Sequence, residues 1–445
     1  MGISRREVLA GIALSPVVLR AAQNSKDFRT LAPAPPMGWN SWDSFATTIR
    51  EEEARAVAQI MAAQLLPHGY DIFTIDAQWN EPGANSFDYR KDAALSMDEW
   101  GRLIPAANRF PSAAHGAGFK PLADYVHSLG LKFGIHMMRG VPRQAARQNT
   151  PILGARSRAN DIADRVNVCA WNADMYGIDM SKPGAQEYYD SILRLYASWG
   201  VDFVKADDMS RPYFRNAPEI HAVHRAIGRC GRPMLLSLSP GETPLAAAAD
   251  AALNANLWRI SDDFWDTWPL LLEQFDRLKN WSTYARPGNW PDADMLPLGT
   301  LELGRRKTRF TAEEQVTLLT LWSIARSPLM MGGDLRKLDD FTLSLLTNDE
   351  VLAVNQASTD GRELFKSDGL AAWRAKSAVG QDIYVAVFNL SEAPALVTIK
   401  FEQLGVKGVA RVRDLWQRSD LKPVQDEFVP LIPRHGAGLF RLSAA

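Results

Sequence analysis

The stretch AQEYYDSILRLYASWGVDFVKADD, residues 185–208, contains one complete repeating unit of a predicted α/β fold. Its first part, Ala185–Trp199, has the length and the mixed apolar and polar spacing of a helix that packs on a core. Its second part, Phe203–Asp208, is a short β-rich run that ends in carboxylates. A strand with acidic residues at its carboxyl end is typical of enzymes built on parallel barrels.

The same alternation of β-rich runs and helical stretches continues on both sides of this unit, from residue 33 to residue 356. Eight strands with helical crossovers over about 300 residues predict an α/β fold of the (β/α)₈ TIM barrel type. A doubly wound sheet is the alternative, but it usually has fewer strands and a glycine fingerprint before a helix. The predicted strands are Gly38–Trp42, Tyr70–Trp79, Lys132–Met138, Phe203–Asp208, Met234–Pro240, Leu257–Asp263, Asp292–Leu296 and Leu329–Asp334.

The pattern changes after residue 356. Residues 357–445 contain short alternating runs separated by turn residues, which predict a small antiparallel β-sandwich domain. We expect this domain to pack on the barrel rather than to bind sugar. The runs are Leu370–Arg374, Ile383–Asn389, Ala395–Phe401, Ala410–Leu415 and Ala437–Leu442.

The amino terminus carries a targeting signal. Ser4–Leu9 contains a twin-arginine pair, and the apolar run Val8–Leu19 that overlaps it is too short to span a bilayer as a stable helix. Residues 1–25 are therefore predicted to be a twin-arginine signal peptide, and the protein to be periplasmic or secreted. No later segment has 18 consecutive apolar residues, so we expect no membrane anchor in the mature form.

Charge and cysteine content exclude several classes of function. Lys and Arg number 50 and Asp and Glu number 51, so nucleic acid and anionic membranes are not expected partners.

Cys169 and Cys230 are predicted to be free thiols. His221 and His224 lie one helical turn apart, but no further ligand completes a metal site. We predict neither metal nor cofactor, although twin-arginine export keeps an exported redox protein as an alternative.

Carboxylates stand at the ends of four predicted strands: Asp76, Asp207, Asp263 and Asp294. Lys205 and Asp207 are two residues apart and share one face of a strand, as do Arg259 and Asp263. A nearby cation favours the ionised carboxylate that a nucleophile needs, whereas partial burial against Phe264 or Trp265 would favour a protonated acid at Asp263. Two carboxyl groups in these different states are the working parts of glycoside hydrolysis.

Several motifs, in this order along the chain, resemble those of glycoside hydrolase family 27, which contains the α-galactosidases and α-N-acetylgalactosaminidases. The resemblance covers residues 33–445 and implies a retaining glycosidase with an oligosaccharide or polysaccharide substrate. The motifs are MGWNSW (37–42), KAD (205–207), RISDD (259–263), DADM (292–295), LWSIARSPL (321–329) and LAVNQ (352–356).

By position in these motifs, the resemblance implies that Asp207 is the nucleophile and Asp263 the acid/base. It also implies residues that hold or stack on the sugar, namely Trp42, Asp76, Lys205, Arg259 and Asp294.

The chain departs from the family pattern where the sugar is recognised. Ala77 replaces the second of two adjacent aspartates, His136 stands in place of a tyrosine, and the loop around Ser239 differs. His136 is either a substrate contact or a structural residue. The expected substrates are an α-galactoside first and a β-L-arabinopyranoside second, and Ser239 leaves an α-N-acetylgalactosaminide possible. A barrel that binds sugar without catalysis is the remaining alternative.

Overall fold

The computed structural model describes residues 27–444, and in it eight short parallel strands form the centre of the chain. The predicted signal peptide, including Ser4–Leu9, lies outside the described residues. Each strand is followed by a crossover connection that contains at least one helix. The strands are β1 (Met37–Asn40), β2 (Ile72–Ile75), β3 (Lys132–Met138), β4 (Phe203–Asp207), β5 (Leu235–Leu238), β6 (Leu257–Arg259), β7 (Trp290–Asp292) and β8 (Leu329–Met331).

The eight strands pair in the order β7–β6–β5–β4–β3–β2–β1–β8, and every pairing is parallel. The loop after β7 closes the ring, because the Leu296 amide donates to the Met330 carbonyl at 2.8 Å and the Leu296 carbonyl accepts from the Gly332 amide at 3.0 Å. The predicted (β/α)₈ barrel is therefore confirmed. At Gly38 a Cβ would lie 2.2 Å from the Ile72 carbonyl oxygen, so the close approach of β1 to β2 requires glycine.

The helices lie outside the strands and bury one face each on them. Only α7 is buried on nearly every side, because the barrel covers one face and the C-terminal domain covers the other. Its first turn is fixed by a capping box between Thr311 and Glu314. The main helices are α1 (Glu51–Gln64), α2 (Lys120–Ser128), α3 (Ala185–Trp199), α4 (Tyr213–Arg229), α5 (Ala248–Asn254), α6 (Trp268–Trp281), α7 (Ala312–Ala325), α8 (Asp340–Leu346) and α9 (Asp349–Gln356).

Five longer antiparallel strands follow α9, in the spatial order β9–β10–β11–β13–β12, and short two-stranded ladders form a second layer. Apolar side chains between the layers, among them Val387 and Phe440, form a separate core. On its other face the sheet contacts α6 through the edge-to-face pair of Phe275 and Phe388, whose ring centroids are 4.9 Å apart. The strands are β9 (Ser358–Ser367), β10 (Leu370–Ser377), β11 (Ile383–Asn389), β12 (Val409–Asp414) and β13 (Ala437–Ala444).

Of the eight barrel strands only the third, Lys132–Met138, has its predicted bounds, and the other seven differ by one or more residues. Two of the differences bear on the site. The seventh is Trp290–Asp292 rather than Asp292–Leu296, and the sixth ends at Arg259 rather than Asp263. The Asp292 side chain accepts from the Asp294 amide at 2.9 Å, and Asp294 has a φ of 88°, so this segment is a turn that aspartate side chains stabilise.

Both cysteines are unpaired in the structure, and within residues 27–444 no helix is both long enough and apolar enough to cross a membrane.

Candidate active site

A cavity of about 890 Å³ opens at the carboxyl ends of the barrel strands. This is the end at which TIM barrels carry their active sites. Seven of the nine residues predicted for the site line it together, although they come from the ends of five different strands. These residues are Trp42, Asp76, Lys205, Asp207, Arg259, Asp263 and Asp294.

Asp207 is the last residue of β4, and its carboxylate is surrounded by polar groups. The Lys205 Nζ lies 3.5 Å from Oδ1, and the Ser239 hydroxyl donates a short hydrogen bond to the same oxygen. The His136 Nε2 lies 3.0 Å from Oδ2, in an orientation that makes the contact electrostatic rather than a well-aligned hydrogen bond. His136 and Ser239 therefore contact the candidate nucleophile and stand behind the cavity wall.

These neighbours determine the charge of Asp207. Burial alone would raise the pKa of its carboxyl, but Lys205, His136 and Ser239 outweigh burial and hold that pKa well below its ordinary value. The same carboxylates act on the lysine in return. Burial would lower the pKa of Lys205, yet Asp207 and Asp76 raise it above its ordinary value. Each group therefore stabilises the ionised form of the other.

Asp76 is held in place from three sides. Its Oδ2 accepts from the Asn40 amide at 2.7 Å and from Lys205 Nζ at 2.9 Å, and its backbone amide donates to the Ser41 hydroxyl. With both neighbours fixed by strands, the carboxylate has a single orientation at the floor of the cavity. Such pre-organisation is what a site for sugar hydroxyls requires.

Arg259 ends β6 and bridges the two remaining predicted acids. Its Nη2 lies 2.7 Å from Asp294 Oδ2 and 3.2 Å from Asp263 Oδ1. Burial raises the pKa of Asp294 to about 7, against the opposing effect of Arg259 and with the help of the neighbouring carboxylates Asp263 and Asp292.

Asp263 itself lies at the mouth of the cavity, and 58% of its side chain is exposed. The expected partial burial against Phe264 or Trp265 was wrong. Strand β6 has already ended at Arg259, so Asp263 stands on a loop, and the buried Phe264 uses its backbone amide to hold Asp294 at 2.8 Å. The carboxyl group is therefore open to water at the mouth of the cavity.

A buried ionic network fixes the chain beyond the nucleophile. Arg139 Nη2 lies 2.6 Å from Asp208 Oδ2, and its Nη1 lies 2.5 Å from Glu219 Oε1, whose carboxylate also accepts from the Tyr189 hydroxyl. Asp208 has a φ of 62°, in the left-handed region that aspartate adopts more readily than most other non-glycine residues. The network therefore positions the peptide that follows Asp207.

We expect Arg139→Leu to lower the free energy of unfolding by about 3–5 kcal/mol at pH 7, because two buried carboxylates lose their cation. Burial already raises the pKa values of Asp208 and Glu219 against the pull of Arg139, and the variant removes that pull. Raised native pKa values favour folding at low pH and disfavour it as pH rises. The deficit should therefore be smaller at pH 5 than at pH 8 in urea titrations.

The matched control is Arg211→Leu, because Arg211 forms a bidentate pair with Asp262 in which both side chains are more than half exposed. That variant should lose less than about 1 kcal/mol at either pH. Equal losses in the two variants would contradict a structural role for the buried network.

Aromatic side chains frame the cavity mouth, and sequence reasoning missed most of them. Trp42 contacts Phe87 edge-to-face at 5.7 Å and stacks on Tyr89 at 6.2 Å between ring centroids. Phe87 in turn contacts Trp265, and Tyr89 contacts Trp171. Phe87 and Tyr89 belong to the long irregular segment between β2 and α2, where no periodicity marks a residue as facing the site. Asp43, which also lines the cavity, was missed as well.

Asp76, His136 and Asp207 each place one ligand atom within 4.8 Å of the others, a spacing that a metal ion could bridge. The ammonium group of Lys205 already lies 2.9 Å from Asp76 and 3.5 Å from Asp207. A cation bound among these carboxylates would be repelled by that charge, so the donor set does not fit a metal.

Comparison with known proteins gives consistent matches along the chain. Residues 34–181 and 144–357 match the family model of alpha galactosidase A, and residues 367–442 match the model of the alpha galactosidase C-terminal β-sandwich domain. Alpha-galactosidase 2 of Arabidopsis thaliana is 29% identical over 420 residues, which are 93% of this chain and 90% of the relative.

Solved structures with higher identity come from Geobacillus stearothermophilus. A family 27 β-L-arabinopyranosidase from that organism is 49% identical, with a TM-score of 0.93 over 95% of this chain and 99% of its own. A variant of the same enzyme, solved with arabinose, has the same identity and TM-score and is covered over its whole length.

Proposed function

The chain belongs to glycoside hydrolase family 27, and from this premise we propose that it is a retaining exo-glycosidase that prefers terminal β-L-arabinopyranosides to α-D-galactosides. Membership makes it a glycoside hydrolase with an oligosaccharide substrate. The observation that carries the choice of sugar is Ala77, where typical members have a second aspartate beside the residue matched by Asp76. We propose the retaining mechanism, the terminal sugar and the export of the protein.

In the first step, Asp207 Oδ attacks the anomeric carbon while the bond to the leaving oxygen breaks and that oxygen takes a proton from Asp263. The product is a glycosyl ester of Asp207. In the second step, Asp263 takes a proton from water, the water oxygen attacks the anomeric carbon, and the ester bond to Asp207 breaks. Two inversions give net retention, and both carboxyl groups return to their starting states.

The charges around the two acids support these roles. Lys205 at 3.5 Å and Ser239 keep Asp207 anionic and oriented, which is the state required for attack. Asp263 has one cationic neighbour at 3.2 Å and is open to water, so a proton can leave it and return to it.

The choice between the two sugars depends on one substituent. α-D-Galactopyranosides and β-L-arabinopyranosides share the arrangement of their ring hydroxyls and of the anomeric bond, but galactose carries an additional hydroxymethyl group at C5. A hydroxyl that is buried without a partner is costly, and Ala77 offers no side-chain donor or acceptor. The pentose lacks that hydroxyl and therefore loses nothing beside Ala77.

We expect the wild-type enzyme to hydrolyse nitrophenyl β-L-arabinopyranoside with a higher kcat/KM than nitrophenyl α-D-galactopyranoside. Ala77→Asp should shift the ratio of the two kcat/KM values at least tenfold toward the galactoside, because the carboxylate can accept the 6-hydroxyl. Ala77 borders a small void of about 20 Å³ beside the cavity, and Tyr89 lines both, so a larger side chain can extend from Ala77 toward the sugar site.

Ala77→Val is the control, since it fills the same void without a hydrogen-bonding group and should not improve galactoside turnover. Absence of turnover on every glycoside of the panel would refute the proposed function. A wild-type preference for the galactoside would refute only the choice of sugar, and would support the α-galactoside as substrate, in line with the relative from Arabidopsis thaliana.

The other candidates have less support. An α-N-acetylgalactosaminide would use Ser239, but that hydroxyl donates to Asp207 and is 1% exposed. A non-catalytic barrel would be expected to lack one of the two acids, and both line the cavity. A redox protein would need a phosphate-binding glycine loop or a Cys-x-x-Cys pair, which the sequence does not contain. Export by the twin-arginine route is a separate proposal that rests on Ser4–Leu9 alone.

A further inference from the structure

Asp43 is a buried carboxyl group at the cavity that has no role in the two steps above. It belongs to a one-turn helix, Trp42–Phe45, directly after β1, and it is 3% exposed. Within residues 27–444 its Oδ2 is completely buried and has no hydrogen-bond partner. That oxygen lies against β8, because a Cβ on Gly332 would be 2.0 Å from it. Packing on β8 therefore fixes the carboxyl, and the side chain, which lines the cavity, meets it through its other oxygen, Oδ1.

The charges that face Asp43 are mostly of its own sign. Three carboxylates, Asp294, Asp263 and Asp76, oppose its ionisation, and Lys205 is the cation that favours it. Burial, reinforced by these carboxylates, raises the pKa of Asp43 well above its ordinary value. These surroundings favour the protonated form of the carboxyl, which can both donate and accept a hydrogen bond.

An unpartnered buried carboxyl destabilises a protein, and such groups in native structures call for an explanation. The position of Asp43 suggests one. In the strand order of the barrel, β1 lies opposite β5, so Asp43 stands across the cavity from Ser239 and near the far side from Asp207. A sugar ring that reaches Asp207 with its anomeric carbon would present its hydroxyls toward Asp43.

We propose that Asp43 is a specificity-determining residue that hydrogen-bonds one ring hydroxyl of the terminal sugar, a contact supplied only when substrate is bound. The proposal rests on the glycosidase function proposed above. It extends the recognition set beyond Trp42, Asp76, Lys205, Arg259 and Asp294 to a carboxyl group on the β1 side of the cavity.

The test uses Asp43→Leu and Asp43→Asn in the full enzyme, with the nitrophenyl pentoside and its 2-, 3- and 4-deoxy derivatives. On the parent glycoside, Asp43→Leu should have a kcat/KM about 10- to 100-fold below that of the wild type. On one of the deoxy derivatives, the kcat/KM values of Asp43→Leu and of the wild type should agree within about twofold, because that substrate lacks the hydroxyl that Asp43 binds. Asp43→Asn should stay within about threefold throughout, because an amide also donates and accepts. The deoxy derivative on which Asp43→Leu shows no loss of kcat/KM relative to the wild type identifies the hydroxyl that Asp43 binds.

Ser44→Ala is the matched control. Ser44 is the next residue and is 2% exposed, and its hydroxyl also has no partner in the part of the chain that the structure describes, but it does not line the cavity. Its variant should behave like wild type on all four glycosides. If Asp43→Leu raises Tm and leaves every kcat/KM unchanged, Asp43 is only a strained structural group and the proposal is overturned. Uniform losses across the deoxy series would overturn it as well.

Binding of free L-arabinose, measured by titration calorimetry, separates this proposal from the proposed catalysis. Weaker binding by Asp43→Leu than by wild type and Ser44→Ala would support the contact even if no glycoside of the panel were hydrolysed. Equal binding by all three proteins would contradict the contact even if the wild type were a fast glycosidase.

Discussion

Asp207→Asn is expected to reduce kcat/KM on a nitrophenyl glycoside by a factor on the order of 10⁴ or more, with the fold unchanged. The amide has the shape of the carboxylate but cannot form the glycosyl ester. The variant removes the negative charge that Lys205, His136 and Ser239 contact. The amide oxygen can still accept a hydrogen bond from the Ser239 hydroxyl. The free sugar should therefore still bind, which calorimetry with L-arabinose can establish.

A smaller side chain at this position gives a sharper test of the role. Asp207→Gly leaves space below the anomeric carbon, and added azide should restore turnover with a glycoside that has a good leaving group. Azide would attack from the face that Asp207 occupied, so the glycosyl azide should have the inverted anomeric configuration, as read by proton NMR. Near-normal rates from Asp207→Asn would show that the nucleophile lies elsewhere.

The architecture was open to prediction from sequence because it depends on repetition. Strand β3 has the predicted bounds, Lys132–Met138, and β4 differs by one residue at its end. Lys205 and Asp207 were paired from strand phase alone, and the structure brings their charged atoms to 3.5 Å. Strand periodicity is reliable there because both residues lie within β4, where side chains alternate between faces.

The same reasoning rested on a wrong premise at the sixth strand. Arg259 and Asp263 were assigned to one strand face, but the strand ends at Arg259 and a loop carries Asp263 into the cavity. Their contact at 3.2 Å thus arises from a turn rather than from alternation. Predicted burial of Asp263 failed for the same reason, because burial in a loop depends on neighbours that are distant in sequence.

Residues on long loops were beyond sequence reasoning. Tyr89 and Phe87 reach the cavity from the loop between β2 and α2. This loop has neither helical nor strand periodicity, so the sequence does not indicate which of its side chains face the site. Asp43 was missed for a different reason. It directly follows Trp42, the last residue of the MGWNSW motif, yet nothing in the sequence shows that its carboxyl is buried without a partner within residues 27–444. Such a property belongs to the packing of β1 against β8.

Asp263→Ala is expected to separate substrates by the basicity of their leaving groups. A disaccharide needs its leaving oxygen protonated, so its kcat/KM should fall by about 10²- to 10⁴-fold. A dinitrophenyl glycoside leaves as a stable anion and should lose less than about tenfold in kcat/KM, which reports the first chemical step. The two losses are compared on one enzyme preparation, so differences in the fraction of folded protein cancel.

The neighbouring residue provides the control for this variant. Asp262 is also exposed and also pairs with an arginine, but its partner is Arg211, at 2.7 Å, rather than Arg259. Asp262→Ala should therefore reduce the two kcat/KM values by the same small factor. With Asp263→Ala, azide should accelerate the breakdown of the glycosyl ester and give a glycosyl azide of retained configuration, because Asp207 still acts first. Equal losses on both leaving groups, or an inverted azide product, would remove Asp263 from the role of acid and base.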